Sequence, residues 1–335
     1  MKHRLLFHRT RPLMGLRWRH LLAALLVMAS SAGVSAQESA PLRVVATFSI
    51  LGDMVQQIAG DRVALTTIVG PNTDAHSFEP TPVHAKALAQ AQVVVLNGLD
   101  FEAWLPRLLQ ASGFKGRQIL ASRGVTPRLL GEDQHEDAKA HEAHGQEHEA
   151  HGHDHASGVD PHAWQSLLNG QIYAQNIADG LSSADPSNRA YYQKRAKSYI
   201  AEMKVLHEEI KAMLADIPPE RRKVITSHDA FGYFAEAYDI QFISALGFSS
   251  GAEPSARDIA AIIEQARKEG VSALFLENAT NPRLVEQIAR ETGAQTDGTL
   301  YPDALALEHE PAGSYLGMFH WNAGQLIHGL KRVSP

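Results

Sequence analysis

The sequence predicts an α/β protein of two lobes, each with a four-stranded, mostly parallel sheet flanked by helices, joined by one long rigid helix. Short apolar, β-branched runs alternate with helical segments on both sides of one unusually long helical pattern. Near-continuous apolar strands are typical of parallel sheets that are covered on both faces. A chain of 335 residues, 44% of them apolar, is long enough for two such lobes.

The first 36 residues differ from the rest of the chain. They carry six Lys and Arg residues and no acid, then the apolar run LLAALLVMA and small residues up to Ala36. This pattern predicts a secretory signal peptide over residues 1–36, with cleavage near Ala36. The apolar run is shorter than the ~20 residues that span a bilayer, which argues against a membrane helix. We therefore expect export to the periplasm of a double-membraned cell.

The predicted mature chain is acidic and contains no cysteine. Removing six cations from the 31 of the full chain leaves 25 against 37 acids, a net charge of −12. Such a surface disfavours nucleic acid and anionic membranes as partners. The absence of cysteine excludes disulfides, thiolate metal sites and lipid attachment through an N-terminal cysteine. We expect a free, monomeric protein.

The first predicted lobe spans residues 37–184. Its four predicted strands lie at residues 42–50, 63–70, 91–98 and 116–122. Helical patterns separate them, and Thr81-Pro82 is typical of a helix start, with an N-cap followed by a first-turn proline. A helix near 163–183 completes this lobe.

The predicted linking helix lies within residues 185–218, between the two lobes. Apolar residues recur there at helical spacing from Tyr192 to Ile217. A helix over 187–217 would measure about 46 Å, enough to run along two lobes. The second predicted lobe spans residues 219–335, with strands at 223–228, 240–247, 271–277 and 294–300.

Four side chains with metal-ligating groups occupy the positions where such sheets bind ligands, just beyond the carboxyl ends of their strands. His76, His228 and Asp303 each follow a predicted strand, and His162 precedes a predicted helix. Three imidazoles and one carboxylate suit a single zinc ion better than manganese, which prefers more oxygen ligands. Four protein ligands would leave no open position for a catalytic water, so we expect a carrier and not an enzyme.

Three acids near these candidate ligands are candidates to orient the imidazoles by hydrogen bonds. They are Asp74, Asp160 and Asp229. The alternative is that they are solvated turn residues.

Several motifs resemble a known family. They are VVATFSILGDMVQQIAG, PNTDAHSFEPTP, DPHAWQS, TSHDAFGYFAEAY, AEPSARDIAAII and TLYPDAL. Their order and spacing, over residues 42–330, resemble the solute-binding proteins of bacterial ABC transporters for zinc and manganese, the group with two α/β lobes joined by one rigid helix.

The resemblance implies a function and a partner. It makes His76, His162, His228 and Asp303 the expected metal ligands, and it implies delivery of the metal to an ABC permease in the inner membrane. Members of the family with His as the third ligand are mostly zinc carriers, and this chain has His228 there. Zn²⁺ is therefore the expected cargo. A manganese or iron carrier of the same family is the alternative.

A histidine-rich tract raises rival hypotheses. Its seven histidines are His135, His141, His144, His148, His151, His153 and His155. With almost no apolar residue larger than alanine, it predicts a disordered loop over 131–158 that collects zinc for the cleft, or a plain solvated tether. Two other functions compete with that of a metal carrier. One is an exported zinc storage protein or adhesin. The other is an exported zinc hydrolase, since the stretch from His144 to His148 fits an H-x-x-E-H pattern.

Overall fold

The computed structural model describes residues 40–129, 158–246, 255–271 and 273–332. The first sheet has the strand order β2-β1-β3-β4, and all its pairings are parallel. Its strands are β1 (Leu42–Phe48), β2 (Val63–Val69), β3 (Val93–Leu96) and β4 (Arg117–Leu120). The β1 strand is buried along almost its whole length, as its apolar sequence predicts.

The second sheet repeats this topology. Its strand order is β6-β5-β7-β8, again with parallel pairings throughout. Its strands are β5 (Lys223–Thr226), β6 (Gln241–Ser244), β7 (Ala273–Glu277) and β8 (Gln295–Leu300). In each sheet the first strand along the chain lies between the second and the third, so the loops that follow these strands gather at one edge.

Helices cover the faces of both sheets. In chain order they are α1 (Ser49–Ala59), α2 (Pro82–Gln90), α3 (Leu105–Ser112), α4 (Leu167–Ala184), α5 (Arg189–Ala215), α6 (Gly232–Tyr238), α7 (Ala256–Glu269), α8 (Arg283–Thr292) and α9 (Tyr315–Lys331). The 27-residue α5 joins the two lobes and packs against α1 and α4 of the first lobe and α9 of the second. Its length is about 40 Å at 1.5 Å per residue.

One apolar core runs through both lobes. Buried residues of the first sheet such as Val44, of α5 such as Tyr192, and of the second sheet such as Phe275 belong to a single cluster. A smaller cluster around Ile225 and Leu274 fills the far side of the second sheet. Because a large hinge opening would expose part of the shared core to water, the packing opposes it.

The predicted fold class is confirmed, while several element ends differ. A single turn of 3₁₀ helix, Pro186–Asn188, precedes α5, so the linking helix is shorter than the sequence pattern suggested. The predicted helix near 163–183 is split into the 3₁₀ turn Ala163–Gln165 and α4. The predicted signal peptide and residues 131–157 of the histidine-rich tract lie outside the described residues. Within the described ranges, no helix is long and apolar enough to cross a membrane.

Candidate metal centre

The structure brings the four predicted ligand side chains together. His76 lies in the loop between β2 and α2, and His162 immediately precedes the 3₁₀ turn Ala163–Gln165. His228 follows β5 and Asp303 follows β8. One ligand atom from each lies within 4.8 Å of the others. The first lobe thus contributes two imidazoles, and the second lobe an imidazole and a carboxylate.

The spacing between the ligand atoms is that of a compact coordination site. His76 Nε2 lies 3.1 Å from His162 Nε2 and 3.6 Å from Asp303 Oδ2. His162 Nε2 lies 3.5 Å from Asp303 Oδ1, and His228 Nε2 lies 3.0 Å from Asp303 Oδ2. Zinc bonds of about 2.0–2.1 Å in a tetrahedron place neighbouring ligand atoms about 3.3 Å apart. These four separations are close to that value, and one ligand atom of each residue lies within 4.8 Å of the others, so the group has about the size of a single coordination shell.

His162 is held by a buried carboxylate. Asp160 Oδ1 lies 2.8 Å from His162 Nδ1 and accepts a hydrogen bond from the His162 backbone N–H at 2.9 Å. Although burial raises the pKa of Asp160, the bonds and charge of His162 and the Arg128 guanidinium lower it below its usual value. An ionised Asp160 accepts a hydrogen bond from Nδ1–H, so the Nε2 lone pair of His162 faces the site.

His228 has an equivalent partner in Glu277, at the end of β7. Glu277 Oε2 lies 2.5 Å from His228 Nδ1, and Oε1 accepts from the backbone N–H groups of Ser227 and His228 at 2.8 and 3.1 Å. Burial by itself lowers the pKa of His228, but the charges of Glu277 and Asp303 raise it well above its usual value. The pair turns Nε2 toward the other ligands, because Nδ1 is engaged.

His76 is held differently. Asp74 Oδ1 accepts from the His76 backbone N–H at 2.8 Å, and Oδ2 accepts from the Ser77 hydroxyl at 2.8 Å. This carboxylate therefore shapes the turn and does not bond the imidazole. The His76 ring stands edge-on to Phe101, with centroids 4.7 Å apart, and Trp104 Nε1 donates to the neighbouring Ala75 carbonyl at 3.0 Å.

The loop that carries Asp303 is fastened to the first lobe. Trp164 Nε1 donates to the Pro302 carbonyl at 2.8 Å, and the Leu305 N–H donates to Ser49 Oγ at 3.0 Å. Burial raises the pKa of Asp303, yet the charges of the neighbouring histidines lower it well below its usual value. The lowered pKa favours the ionised form of Asp303, and contacts from the first lobe hold the loop that carries it.

Two buried atoms of the site lack a hydrogen bond among the described residues. They are His228 Nε2 and Asp303 Oδ1. Asp303 Oδ2 lies 3.0 Å from His228 Nε2, within the distance of an ion pair. An unsatisfied buried polar group costs about 1–3 kcal/mol, and a cation at the centre of the four ligands would satisfy both atoms.

Sequence reasoning found one of the two carboxylates that hold imidazoles. Asp160 makes the expected bond to His162. Asp229 is partly buried, and within the described ranges it bonds none of the three imidazoles; burial and the charge of Asp160 raise its pKa. The sequence does not single out Glu277, although it ends an apolar strand as the candidate ligands follow theirs.

Three imidazoles and one carboxylate converge between two α/β lobes, an arrangement that could hold one metal ion. The chain matches the model of the family described as zinc-uptake complex component A, periplasmic, over residues 44–329. It belongs to that family.

Curated relatives share nearly the whole chain. The substrate-binding lipoprotein SloC of a metal ABC transporter from Streptococcus mutans is 33% identical, covering 87% of this chain and 90% of the relative. The manganese-transporter lipoprotein PsaA of Streptococcus pneumoniae is 30% identical, over 93% and 97% of the two chains. The iron-transporter lipoprotein MtsA of Streptococcus pyogenes is 32% identical, over 95% and 100%.

Solved structures agree on the fold. The manganese-bound periplasmic metal-binding protein of Candidatus Liberibacter asiaticus matches with a TM-score of 0.72 and 28% identity, over 86% of this chain and 99% of the other. The periplasmic zinc-binding protein TroA of Treponema pallidum has a TM-score of 0.75 at 23% identity, over 88% and 100%. The chain is thus the substrate-binding component of a metal ABC transporter, a transport protein and not an enzyme, and its partner is a membrane permease.

Proposed function

We propose that this protein captures Zn²⁺ in the periplasm and delivers it to an ABC permease in the inner membrane. One observation carries the choice of metal, namely the composition of the ligand group. Three imidazole nitrogens and one carboxylate converge, with four of the separations between their ligand atoms at 3.0–3.6 Å. Their roles as ligands are part of the proposal.

The chemistry of the ligands favours zinc over manganese. Imidazole suits zinc, whereas carboxylate, carbonyl and water oxygens suit manganese, and zinc also stands well above manganese in the affinity order of divalent ions. Tetrahedral spacing supports the same choice, because zinc sites with four protein ligands are almost always tetrahedral. Relatives named for manganese and iron make a manganese or iron carrier the second candidate.

The charge of the buried groups supports a divalent cation. Three buried carboxylates contact the imidazoles, and one of them, Asp160, is paired with Arg128. The negative charges of Asp303 and Glu277 remain. A single divalent ion balances both, which lowers the cost of holding these charges away from water.

The place of action follows from the sequence features. Residues 1–36 have the pattern of a cleaved export signal, and we propose cleavage near Ala36. The curated relatives are described as lipoproteins, whereas this sequence contains no cysteine to carry a lipid. We propose a free periplasmic form. It would act as a monomer, since one chain supplies all four ligands.

A calorimetric titration tests this function. Zn²⁺ and, in parallel, Mn²⁺ are titrated into the mature protein and into a variant that lacks residues 132–156, which removes all seven histidines of the tract. We expect one tight zinc site in both proteins, lost on His76→Ala or His228→Ala and kept on His320→Ala, an exposed histidine of α9. The manganese affinity should be much weaker.

Two outcomes would reject the proposal. Tight manganese binding at the same four residues would make the protein a manganese carrier. Loss of the tight zinc site together with residues 132–156, while His228→Ala has no effect, would transfer the main site to the histidine-rich tract and favour storage or sequestration. The same deletion variant tests whether the tract is accessory, because it should then change only the number of weak sites.

A further inference from the structure

Arg128 lies at the boundary between the two lobes, with its side chain only 5% exposed. It follows β4 in the first lobe. Its Nε donates to Glu236 Oε1 at 2.7 Å, and Glu236 belongs to α6 of the second lobe. Its Nη1 lies 3.3 Å from Asp160 Oδ2. One buried guanidinium therefore contacts a carboxylate in each lobe.

The first of these carboxylates leads directly to the metal site. Asp160 uses Oδ2 for Arg128 and Oδ1 for the backbone N–H and the Nδ1 of His162, at 2.9 and 2.8 Å. The guanidinium thus holds the far side of the carboxylate that orients the imidazole. Arg128 itself does not touch the four ligand atoms.

The start of α6 is shaped around this pair. A Cβ atom at Gly232 would lie 2.0 Å from Arg128 Nη1 and 2.7 Å from Asp160 Oδ2. Next along the helix, the Tyr233 hydroxyl accepts from the Arg128 backbone N–H at 2.9 Å and donates to the Asp160 carbonyl at 3.2 Å. Gly232 and Tyr233 of the second lobe therefore lie against Arg128 and Asp160, the first against their side chains and the second against their backbones.

We propose that Arg128 is a positioning residue that acts through Asp160 to set the orientation of His162 in the metal site, and that it couples this ligand to α6 of the second lobe. The inference rests on the proposed zinc site. Arg128 fixes the carboxylate, the carboxylate fixes the imidazole, and Glu236 and Tyr233 relate both to the other lobe. The residue bridges the lobes that together supply the ligands.

Electrostatics alone predicts the opposite result, which makes the proposal testable. Arg128 is a cation near a cation site, so its removal should tighten metal binding if long-range charge were its only effect. If it acts by position, its removal leaves Asp160 buried without its cation and free to turn away from the imidazole, and binding weakens. The sign of the change separates the two explanations.

The experiment uses the full mature chain with less than one equivalent of metal, so that the tightest site is measured. Zinc affinity comes from competition with a chelator, and the geometry of the site from the visible absorption of bound Co²⁺. We expect Arg128→Met to weaken zinc binding about tenfold and to change the Co²⁺ spectrum. Arg128→Lys, which keeps the charge but lacks the planar fork, should recover only part of the affinity.

A double-mutant cycle tests the route through Asp160. In an Asp160→Asn background, Arg128→Met should cause no further loss, because the residue through which it acts is already changed. Gly232→Ala keeps both charges and should weaken zinc binding in the same direction by displacing the guanidinium. Arg222→Met is the matched control, since Arg222 is 13% exposed and pairs with Asp239 away from the site.

Several results would overturn the inference. They are unchanged or tighter zinc binding in Arg128→Met, a loss equal to that of Arg222→Met, an Arg128→Lys variant identical to the wild type, or fully additive losses in the cycle. Circular dichroism confirms that each variant is folded, and Gly232→Ala tests the same contact if Arg128→Met is not. Failure of the wild-type chain to bind zinc through His228 would instead reject the proposed function.

Discussion

His228 and His76 are two of the proposed metal ligands, but their surroundings differ. His228 is fully buried and its Nδ1 lies 2.5 Å from Glu277. The His76 side chain is 13% exposed, and its ring rests edge-on against Phe101 at 4.7 Å between centroids. One imidazole belongs to a buried network of charges, while the other is placed by its turn and by aromatic packing.

The difference separates two tasks that a metal ligand performs. His228 lies between two buried carboxylates, of Glu277 and Asp303, and so it also stabilises the metal-free fold. His76, as a proposed ligand, would contribute a nitrogen to the metal and little to the charge balance of the interior. Substitutions at the two positions should therefore agree in their effect on zinc and disagree in their effect on stability.

The largest expected effect is that of His228→Ala. Zinc binding should fall by about 100-fold or more, because one of four ligands carries about a quarter of a binding free energy of ~12 kcal/mol. The metal-free protein should also lose about 3–5 kcal/mol of unfolding free energy, since two buried carboxylates lose their partner. Denaturant unfolding of the metal-free form measures the second quantity.

His76→Ala provides the comparison for that variant. It should weaken zinc binding by a similar factor but cost only about 1 kcal/mol of unfolding free energy in the metal-free protein. Equal stability losses in the two variants would contradict the claim that His228 stabilises the buried carboxylates of Glu277 and Asp303. Both measurements require chelator-treated protein, since bound metal stabilises the folded state by mass action.

This contrast also shows what the sequence reveals and what it does not. The rule that ligands follow the carboxyl ends of strands identified His76, His228 and Asp303, because each is local to an apolar run. The partner of His228 is separated from it by 49 residues. Only the pairing of β5 with β7 brings Glu277 beside His228, and a single sequence does not specify that register.

The ends of the strands also depend on contacts between residues that are distant in the sequence. Local patterns predicted every strand and the linking helix, but Thr226 ends β5 two residues before the predicted strand end at His228. Beyond Thr226 the backbone N–H groups of Ser227 and His228 bond Glu277, a tertiary contact that local sequence does not reveal. The same residue therefore holds both the backbone and the ring of His228.

The pH dependence of zinc binding tests the role of Glu277, with a smaller expected effect. Burial lowers the pKa of His228, but the charges of Glu277 and Asp303 outweigh it and raise this pKa well above 6.5. Zinc must therefore displace a proton from the His228 imidazole. We expect affinity to fall about tenfold per pH unit below that raised pKa. The same proton stabilises the metal-free protein below pH 6.5, and this contribution is lost as the pH rises through the raised pKa.

Glu277→Gln should change this profile in two ways. The fall in affinity should begin at a lower pH, because a charge that raises the pKa of His228 is gone, and affinity at high pH should be about 10–100-fold weaker. Glu102→Gln is the matched control. Glu102 is also buried, but it accepts from Thr47 and from the backbone N–H groups of Asn97 and Gly98. A profile unchanged by Glu277→Gln, or changed equally by both variants, would contradict the assignment.

The smallest expected effect belongs to the packing that holds His76. An edge-on aromatic contact is worth about 0.5–1.5 kcal/mol, so Phe101→Leu should weaken zinc binding by about 2–10-fold. Phe48→Leu is the control, because Phe48 packs on Phe101 and Trp164, each at 5.0 Å, within the same aromatic group. Both variants remove a buried ring, but only Phe101→Leu removes the edge-on ring contact with His76. If the two variants lower zinc affinity equally, the loss reflects a loosened core, and the turn alone holds His76. If only Phe101→Leu lowers it, aromatic packing orients His76 as a carboxylate orients His228.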